Sequence, residues 1–153
     1  MISMRSKYGL KALGYMARNS GKDSFLIAEI AQAEGIPKKF LEAILLTLKN
    51  NGILSSRKGP GGGYSLAKSP STLTIGSIVR SFEGDLAPVQ CLSETQHASC
   101  PECVDEDTCG IKLVMADVSA AVAAVLDGVT LADMLQRSEF ARQKRAQVVD
   151  FAI

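Results

Sequence analysis

The sequence predicts a mainly α-helical protein with one small β-hairpin. Three segments within the first fifty residues repeat apolar side chains at the three- and four-residue spacing of a helix. Two short runs of strand-forming residues then flank a glycine-rich turn, Gly59-Pro60-Gly61-Gly62-Gly63, which is typical of a hairpin. A further apolar stripe, after residue 110, predicts one long helix in the second half of the chain.

The first three helices are predicted over residues 6–19, 27–34 and 37–50. Gly35 suits a left-handed cap that ends the second helix, and Pro37 suits the first turn of the third. The predicted buried stripe of the third helix consists of Phe40, Leu41, Ile44, Leu45 and Leu48. Two short helices joined by a glycine-containing turn make a helix-turn-helix candidate, and a hairpin directly after it is a wing.

In the second half, Thr74 is the expected N-cap of a helix over residues 75–82, and a long helix is expected over 111–126. Thr130 is expected to cap a short helix that ends at Leu135, and no element is assigned from Arg137 onwards. We therefore divide the chain into a winged helix-turn-helix domain (1–84), a cysteine-rich loop (85–110), the long and short helices (111–136) and a C-terminal tail (137–153).

The charge is divided unevenly along the chain. The 153 residues carry a net charge of +1, but residues 1–80 hold 12 Lys or Arg against 4 Asp or Glu, while residues 81–153 hold 5 against 12. Such asymmetry favours different partners for the two halves. We expect the +8 half to face nucleic acid and the −7 half to stay off the duplex. With no apolar run near the roughly 18 residues of a membrane span, we expect a cytoplasmic protein.

The helix-turn-helix and its wing favour DNA binding, although such helix pairs also occur in proteins that bind protein partners. Lys38 and Lys39 begin the expected recognition helix, and Glu42 could accept a hydrogen bond from a cytosine amino group. The glycine-rich turn lets backbone approach phosphates, although Tyr64 also suits packing at the base of the wing. The candidate DNA-binding residues are Arg5, Lys7, Lys38, Lys39, Glu42, Arg57, Lys58, Gly61, Gly62 and Tyr64.

All four cysteines fall in the polar loop, at Cys91, Cys100, Cys103 and Cys109. Thiolates on one loop can wrap around a single metal centre. Their spacing favours an iron–sulfur cluster over zinc, since structural zinc sites usually show two close pairs of ligands. Other roles of the cysteines stay open at this point: a redox dithiol, a thiol enzyme or no bound ligand at all. His97 is a further, less favoured metal ligand. The sequence shows no other catalytic set, so we expect a protein that is not an enzyme.

Two motifs carry a resemblance to a known family. They are Gly35-Ile36-Pro37-Lys38-Lys39-Phe40-Leu41-Glu42 and Lys58-Gly59-Pro60-Gly61-Gly62-Gly63-Tyr64. With the cysteine loop and long helix, they resemble the winged-helix repressor family of IscR, NsrR and CymR, over the chain up to about Leu135. The resemblance implies a homodimer joined through the long helix, binding to roughly palindromic promoter DNA, and control by an iron–sulfur cluster or redox state.

The resemblance also implies which residues hold the cluster. Cys91, Cys103 and Cys109 match the family's three cysteines, but the first gap is longer here and Cys100 is additional. The family's alternative fourth ligands, a histidine or an acid, are replaced by Lys112 and Lys7. Cys100 is therefore the expected fourth ligand of a [2Fe-2S] or [4Fe-4S] cluster. A family member without a cluster, using its cysteines for zinc or as a thiol switch, is the alternative.

Overall fold

The computed structural model describes residues 2–150 and confirms the mainly helical fold with a small hairpin. The helices are α1 (Met4–Arg18), α2 (Ile27–Glu34), α3 (Lys38–Asn50), α4 (Ile75–Glu83), α5 (Gly110–Asp127) and α6 (Leu131–Asp150). The strands are β1 (Leu54–Arg57) and β2 (Gly63–Leu66), and a short 3₁₀ turn spans Gln90–Leu92. In residues 2–150, the helices are all too short or too polar to cross a membrane.

The core lies between α1, α3 and α4, where the apolar stripes of the three helices meet. Each stripe contributes a fully buried side chain: Leu13 from α1, Leu45 from α3 and Ile78 from α4. Phe40, which the sequence placed in the buried stripe, is instead 42% exposed and packs edge-on against Tyr8, with ring centroids 5.7 Å apart. That prediction was wrong because Phe40 lies at the start of α3, on the border of the stripe rather than at its centre.

The wing is an antiparallel pair in which Leu54 lies opposite Leu66 and Arg57 opposite Gly63. Phe25, between α1 and α2, adds a third strand position. Its N–H donates to the Tyr64 carbonyl at 2.8 Å, and its carbonyl accepts from the Tyr64 N–H at 2.9 Å. Gly63 is needed there: its φ is 147°, and a Cβ would lie 2.5 Å from the Phe25 carbonyl oxygen. The hairpin is thereby fixed to the end of α1.

The carboxyl-terminal end of α5 is fastened to α4. Arg80 donates two hydrogen bonds to Asp127, at 2.5 and 2.9 Å. Beside this ion pair, the N–H of Ile75 donates to the Val129 carbonyl and that of Leu131 to the Leu73 carbonyl, both at 2.8 Å. These contacts hold the carboxyl-terminal end of α5 against α4 and the segment that precedes it.

Helix α6 is much longer than the sequence predicted. The predicted helix ended at Leu135, whereas α6 continues unbroken to Asp150. Leu131 is buried, but every residue from 136 to 148 is exposed. The prediction failed because it relied on an apolar stripe, whereas residues 136–148 contain good helix formers, Ala, Arg, Gln, Lys and Glu, and no glycine or proline that would end a helix.

Candidate DNA interface and cysteine loop

A groove of about 610 Å³ lies between α3, the wing and the start of α2. The lining includes five of the predicted DNA-binding residues: Lys38, Glu42, Arg57, Lys58 and Tyr64. Sequence reasoning missed Lys49 and Ser56, which also line it. The signal for Lys49 was present, since it follows Glu42 by seven residues and so lies on the same helical face.

The tip of the wing is a compact turn of backbone. The N–H of Gly62 donates to the Gly59 carbonyl at 2.9 Å, and the Ser24 hydroxyl donates to the Gly61 carbonyl at 2.9 Å. A Cβ on Gly62 would lie 2.4 Å from the Arg57 carbonyl oxygen, so a larger residue would open the turn. Gly61 and Gly62 therefore place main chain next to the cations of the wing, and their contact with DNA stays a prediction.

The remaining predicted residues lie outside the groove. Arg5 donates to the Thr47 hydroxyl on α3 at 3.3 Å, with its guanidinium 6.0 Å from the centre of the Phe82 ring. Lys39 is exposed on the first turn of α3. Lys7 lines a separate groove of about 700 Å³ between α4 and α5. The structure thus places Arg5 beside α3 but brings Lys7 to the α5 side of the domain.

The first part of the cysteine loop is anchored by Asp85, just after α4. One carboxylate oxygen accepts hydrogen bonds from the Ser93 hydroxyl (2.6 Å), from the N–H groups of Glu94 (2.9 Å) and Thr95 (3.1 Å), and from the Thr95 hydroxyl (3.0 Å). These bonds, led by that from Ser93, lower the pKa of Asp85 to about 2. Asp85 therefore ties the segment after Cys91 to the end of α4.

The end of α4 is tied in turn to the start of α1 through Glu83. Its carboxylate accepts from the Ser3 N–H at 3.0 Å, from the Ser3 hydroxyl at 2.5 Å and from the Ser6 hydroxyl. Burial raises the pKa of Glu83, but the hydrogen bonds from Ser3 and Ser6 outweigh it and the net shift is downward. Glu83 and Asp85 thus join the first helix and the cysteine loop to the carboxyl-terminal end of α4.

The second part of the loop gathers around Glu106. Its carboxylate accepts from Lys112 on α5 at 2.9 Å and from the Ser99 hydroxyl, and it lies 3.1 Å from Nε2 of His97. The bond from Lys112, followed by those from Ser99 and His97, lowers the pKa of Glu106 to about 2. Sequence analysis gave no role to Glu106, because contacts between distant polar residues have no periodic signature.

The four cysteines are free thiols near the start of α5. Cys109 is the N-cap of α5, and the Cys103 N–H donates to the Cys100 carbonyl at 3.0 Å in a tight turn. Burial raises the pKa of Cys103, and negative charge on Cys109, Glu106 and Cys100 raises it further. Because the thiolates disfavour one another, a cation placed among them would be stabilised.

The donor chemistry of the loop fits an iron–sulfur cluster, since such clusters are held by thiolates. Within residues 2–150, no three His, Cys, Asp or Glu side chains come close enough together to hold a single metal ion. The four sulfur donors are instead distributed along a loop that Asp85 and Glu106 fasten on either side.

Helix α5 presents a long apolar face to solvent. All of its 18 residues keep some exposure, although the helix is rich in valine and alanine. Val118 and Val122, 43% and 42% exposed, also line the groove that contains Lys7. The other large exposed apolar residues of α5 are Ile111, Leu113, Val114 and Val125. A contiguous surface of this kind usually marks an interaction site.

Comparison with known proteins places the chain in a family. The family model for Rrf2, described as an iron-dependent transcriptional regulator, matches residues 2–137. The HTH-type transcriptional regulator rrf2-like of Rhodobacter capsulatus is 43% identical over 138 residues, covering 88% of this chain and 92% of the relative. The HTH-type transcriptional regulator CymR of Bacillus subtilis is 30% identical over 133 residues, covering 87% and 88% of the two chains.

Solved structures agree with this placement. The structure of IscR from T. potens superposes with a TM-score of 0.71 at 28% identity, covering 92% of this chain and 90% of that one. The resemblance to the family of IscR and CymR is thereby confirmed, as is the expectation of a regulator rather than an enzyme. The chain belongs to the Rrf2 family of DNA-binding transcriptional regulators.

Proposed function

We propose that this protein is a dimeric transcriptional repressor whose promoter binding is controlled by an iron–sulfur cluster on its cysteine loop. The observation that carries the proposal is the placement of that loop. Asp85 fastens it to the end of α4, and Lys112 and Cys109 join it to the start of α5. A chemical change at the cysteines therefore acts directly on two helices of the protein.

The groove between α3 and the wing supports the DNA-binding part of the proposal. Lys38 and Lys49 on α3 face Arg57 and Lys58 on the wing across a concave surface. A major groove admits a helix, and the cations beside it neutralise phosphates of the flanking backbone. Glu42, in the same groove, provides an acceptor for base edges.

The cysteine loop supports the sensing part. Cys91, Cys100, Cys103 and Cys109 are the residues that would hold the cluster, which when bound supplies a redox-active and chemically labile centre. Two acidic residues of this chain position the loop. Asp85 holds residues 93–95 in place, and Glu106 keeps the segment of His97 and Ser99 against Lys112. These contacts hold two segments of the loop in place on either side of Cys100 and Cys103.

The exposed face of α5 supports a homodimer. An isologous contact between two copies of α5 would cover Val118, Val122 and their apolar neighbours, and would give each dimer two recognition helices. Two half-sites of a palindromic promoter sequence can then be read together.

Anaerobic purification of the full chain tests the cluster. We expect a brown protein with visible charge-transfer absorbance and with bound iron and sulfide. Cys100→Ser should alter that spectrum if Cys100 is the fourth ligand. Val104→Ala is the matched control, because Val104 lies in the same loop and is fully exposed. A colourless protein that contains zinc or no metal would contradict the cluster and favour a zinc site or thiol switch.

A further inference from the structure

The exposed part of α6, residues 136–148, is a basic segment within the acidic half of the chain. It carries Arg137, Arg142, Lys144 and Arg145 against Glu139, a net charge of +3. Residues 81–135, by contrast, hold one lysine against ten acids. Nearly all of this basic segment lies beyond residue 137, where the match to the family ends.

The basic segment begins at the carboxyl-terminal end of α1. A shallow pocket beside it is lined by Arg18, the last residue of α1, together with Leu135, Ser138 and Arg142 of α6. The wing tip reaches the same end of the domain, since Ser24, six residues after Arg18, donates to the carbonyl of Gly61.

The cysteine loop lies at the other end of α1. Ser3, the N-cap of α1, contacts Glu83 at the end of α4. Asp85, two residues after Glu83, anchors the loop. Because α1 has 15 residues, its two ends are about 22 Å apart. The basic segment thus emerges on the wing side, far from the acidic loop of its own chain.

Two cations of the segment, Arg142 and Arg145, lie on the helical face that packs on α1. Leu135 packs close to Gly14 of α1, where an added Cβ would lie 3.5 Å from it. Arg142 follows Leu135 by two helical turns, and Arg145 follows Met134 by three, so both continue the face that packs on α1. Beyond the end of α1 this face is open to solvent.

We infer that residues 136–148 of α6 bind the phosphate backbone of DNA beside the wing, and so extend the DNA contact of each protomer. The inference rests on the proposed DNA-binding function and deepens it by adding a second electrostatic contact outside the helix-turn-helix. The charge and position of the segment favour DNA as its partner. The segment is positive, exposed and on the side of the wing, and phosphate is the anion that the wing is expected to meet.

The test compares two triple variants of the full chain. One is Arg142→Ala/Lys144→Ala/Arg145→Ala, and the matched control is Gln136→Ala/Gln143→Ala/Gln147→Ala. Alanine preserves the helix in both, which circular dichroism checks. Fluorescence anisotropy with a random-sequence duplex gives the dissociation constant over roughly 50 to 200 mM salt. We expect the arginine–lysine variant to lower the salt slope by about 2 to 3 per protomer, and the glutamine variant to leave it unchanged.

Lys58→Ala separates failure of this inference from failure of the proposed function. If Lys58→Ala lowers the slope by about one while the arginine–lysine variant does not, the protein binds DNA but α6 does not take part. If that variant instead turns a dimer into a monomer without changing the slope, α6 docks on a second copy, which also overturns the inference. If the wild-type protein shows no salt-dependent binding, the DNA-binding proposal itself fails.

Discussion

Glu42 brings a negative charge into a groove that four cations line. A carboxylate opposes phosphate, so its presence there weakens binding to DNA in general. That cost is offset only where the carboxylate accepts a hydrogen bond from a base, and the cytosine amino group is the donor that a carboxylate matches. At the scale of single residues, Glu42 is therefore expected to select sequence, whereas Lys38 and Lys49 increase affinity.

Glu42→Ala should relax the preference for one base pair, by about 1 to 3 kcal/mol, while binding to unrelated duplex is unchanged or slightly tighter. Glu42→Gln should shift the preference at that position towards adenine, because an amide matches the adenine edge. Competition with single-base variants of a selected operator measures both effects. Equal losses at every base pair for Glu42→Ala would show that Glu42 does not read sequence.

At the scale of elements, the end of α4 joins two parts of the molecule. Glu83 holds the start of α1, and Asp85 holds residues 93–95 of the cysteine loop. Hydrogen bonds from Ser93 and Thr95 hold the pKa of Asp85 near 2, below the usual range of an aspartate, so the stability that the ionised anchor contributes is present at neutral pH and is lost as the pH falls through about 2. Under physiological conditions the anchor is permanently ionised.

Asp85→Ala should release the loop while the DNA-binding domain stays folded. Hydrogen exchange is the measurement, because the amides of Glu94 and Thr95 lose their acceptor and should exchange faster. Glu83→Gln is the reciprocal control: it should speed exchange at Ser3, whose N–H loses a charged acceptor, and leave Glu94 and Thr95 protected. Unchanged exchange at Glu94 and Thr95 in Asp85→Ala would show that other contacts hold the loop.

At the scale of the whole molecule, the single chain leaves the apolar face of α5 uncovered. A second copy of α5 would remove that surface from water and would also pair the two recognition helices. The groove beside Val118 and Val122, with a volume of about 700 Å³, offers room for side chains of the partner helix. Dimer formation and DNA affinity are therefore expected to change together.

Val118→Asp should convert the protein to a monomer at micromolar concentration and weaken operator binding, because a buried charge would disrupt the apolar contact. Val104→Asp is the control, since Val104 is fully exposed outside this face. Sedimentation velocity gives the oligomeric state. A wild-type protein that sediments as a monomer under the same conditions would contradict the proposed dimer.

The sequence predicted those elements whose pattern is periodic or whose ends are marked. The stripe through Leu41, Ile44 and Leu48 located α3, and the glycines around Pro60 located the wing. The exposed half of α6 was not predicted because its residues stay exposed and form no buried apolar stripe. The anchors at Asp85 and Glu106 escaped because each joins polar residues through tertiary contacts, which local sequence does not encode.

Because Arg80 holds Asp127, a displacement at the start of α5 would tilt the helix around its carboxyl-terminal end. The helix has 18 residues and is therefore about 27 Å long, and its N-cap, Cys109, lies at the opposite end. A movement of about 2 Å at the cysteines would then require the helix to rotate by only about 4° around its carboxyl-terminal end. Small rearrangements around the thiols would therefore tilt α5 with little distortion of the core, and the length of α5 sets the angle of that tilt.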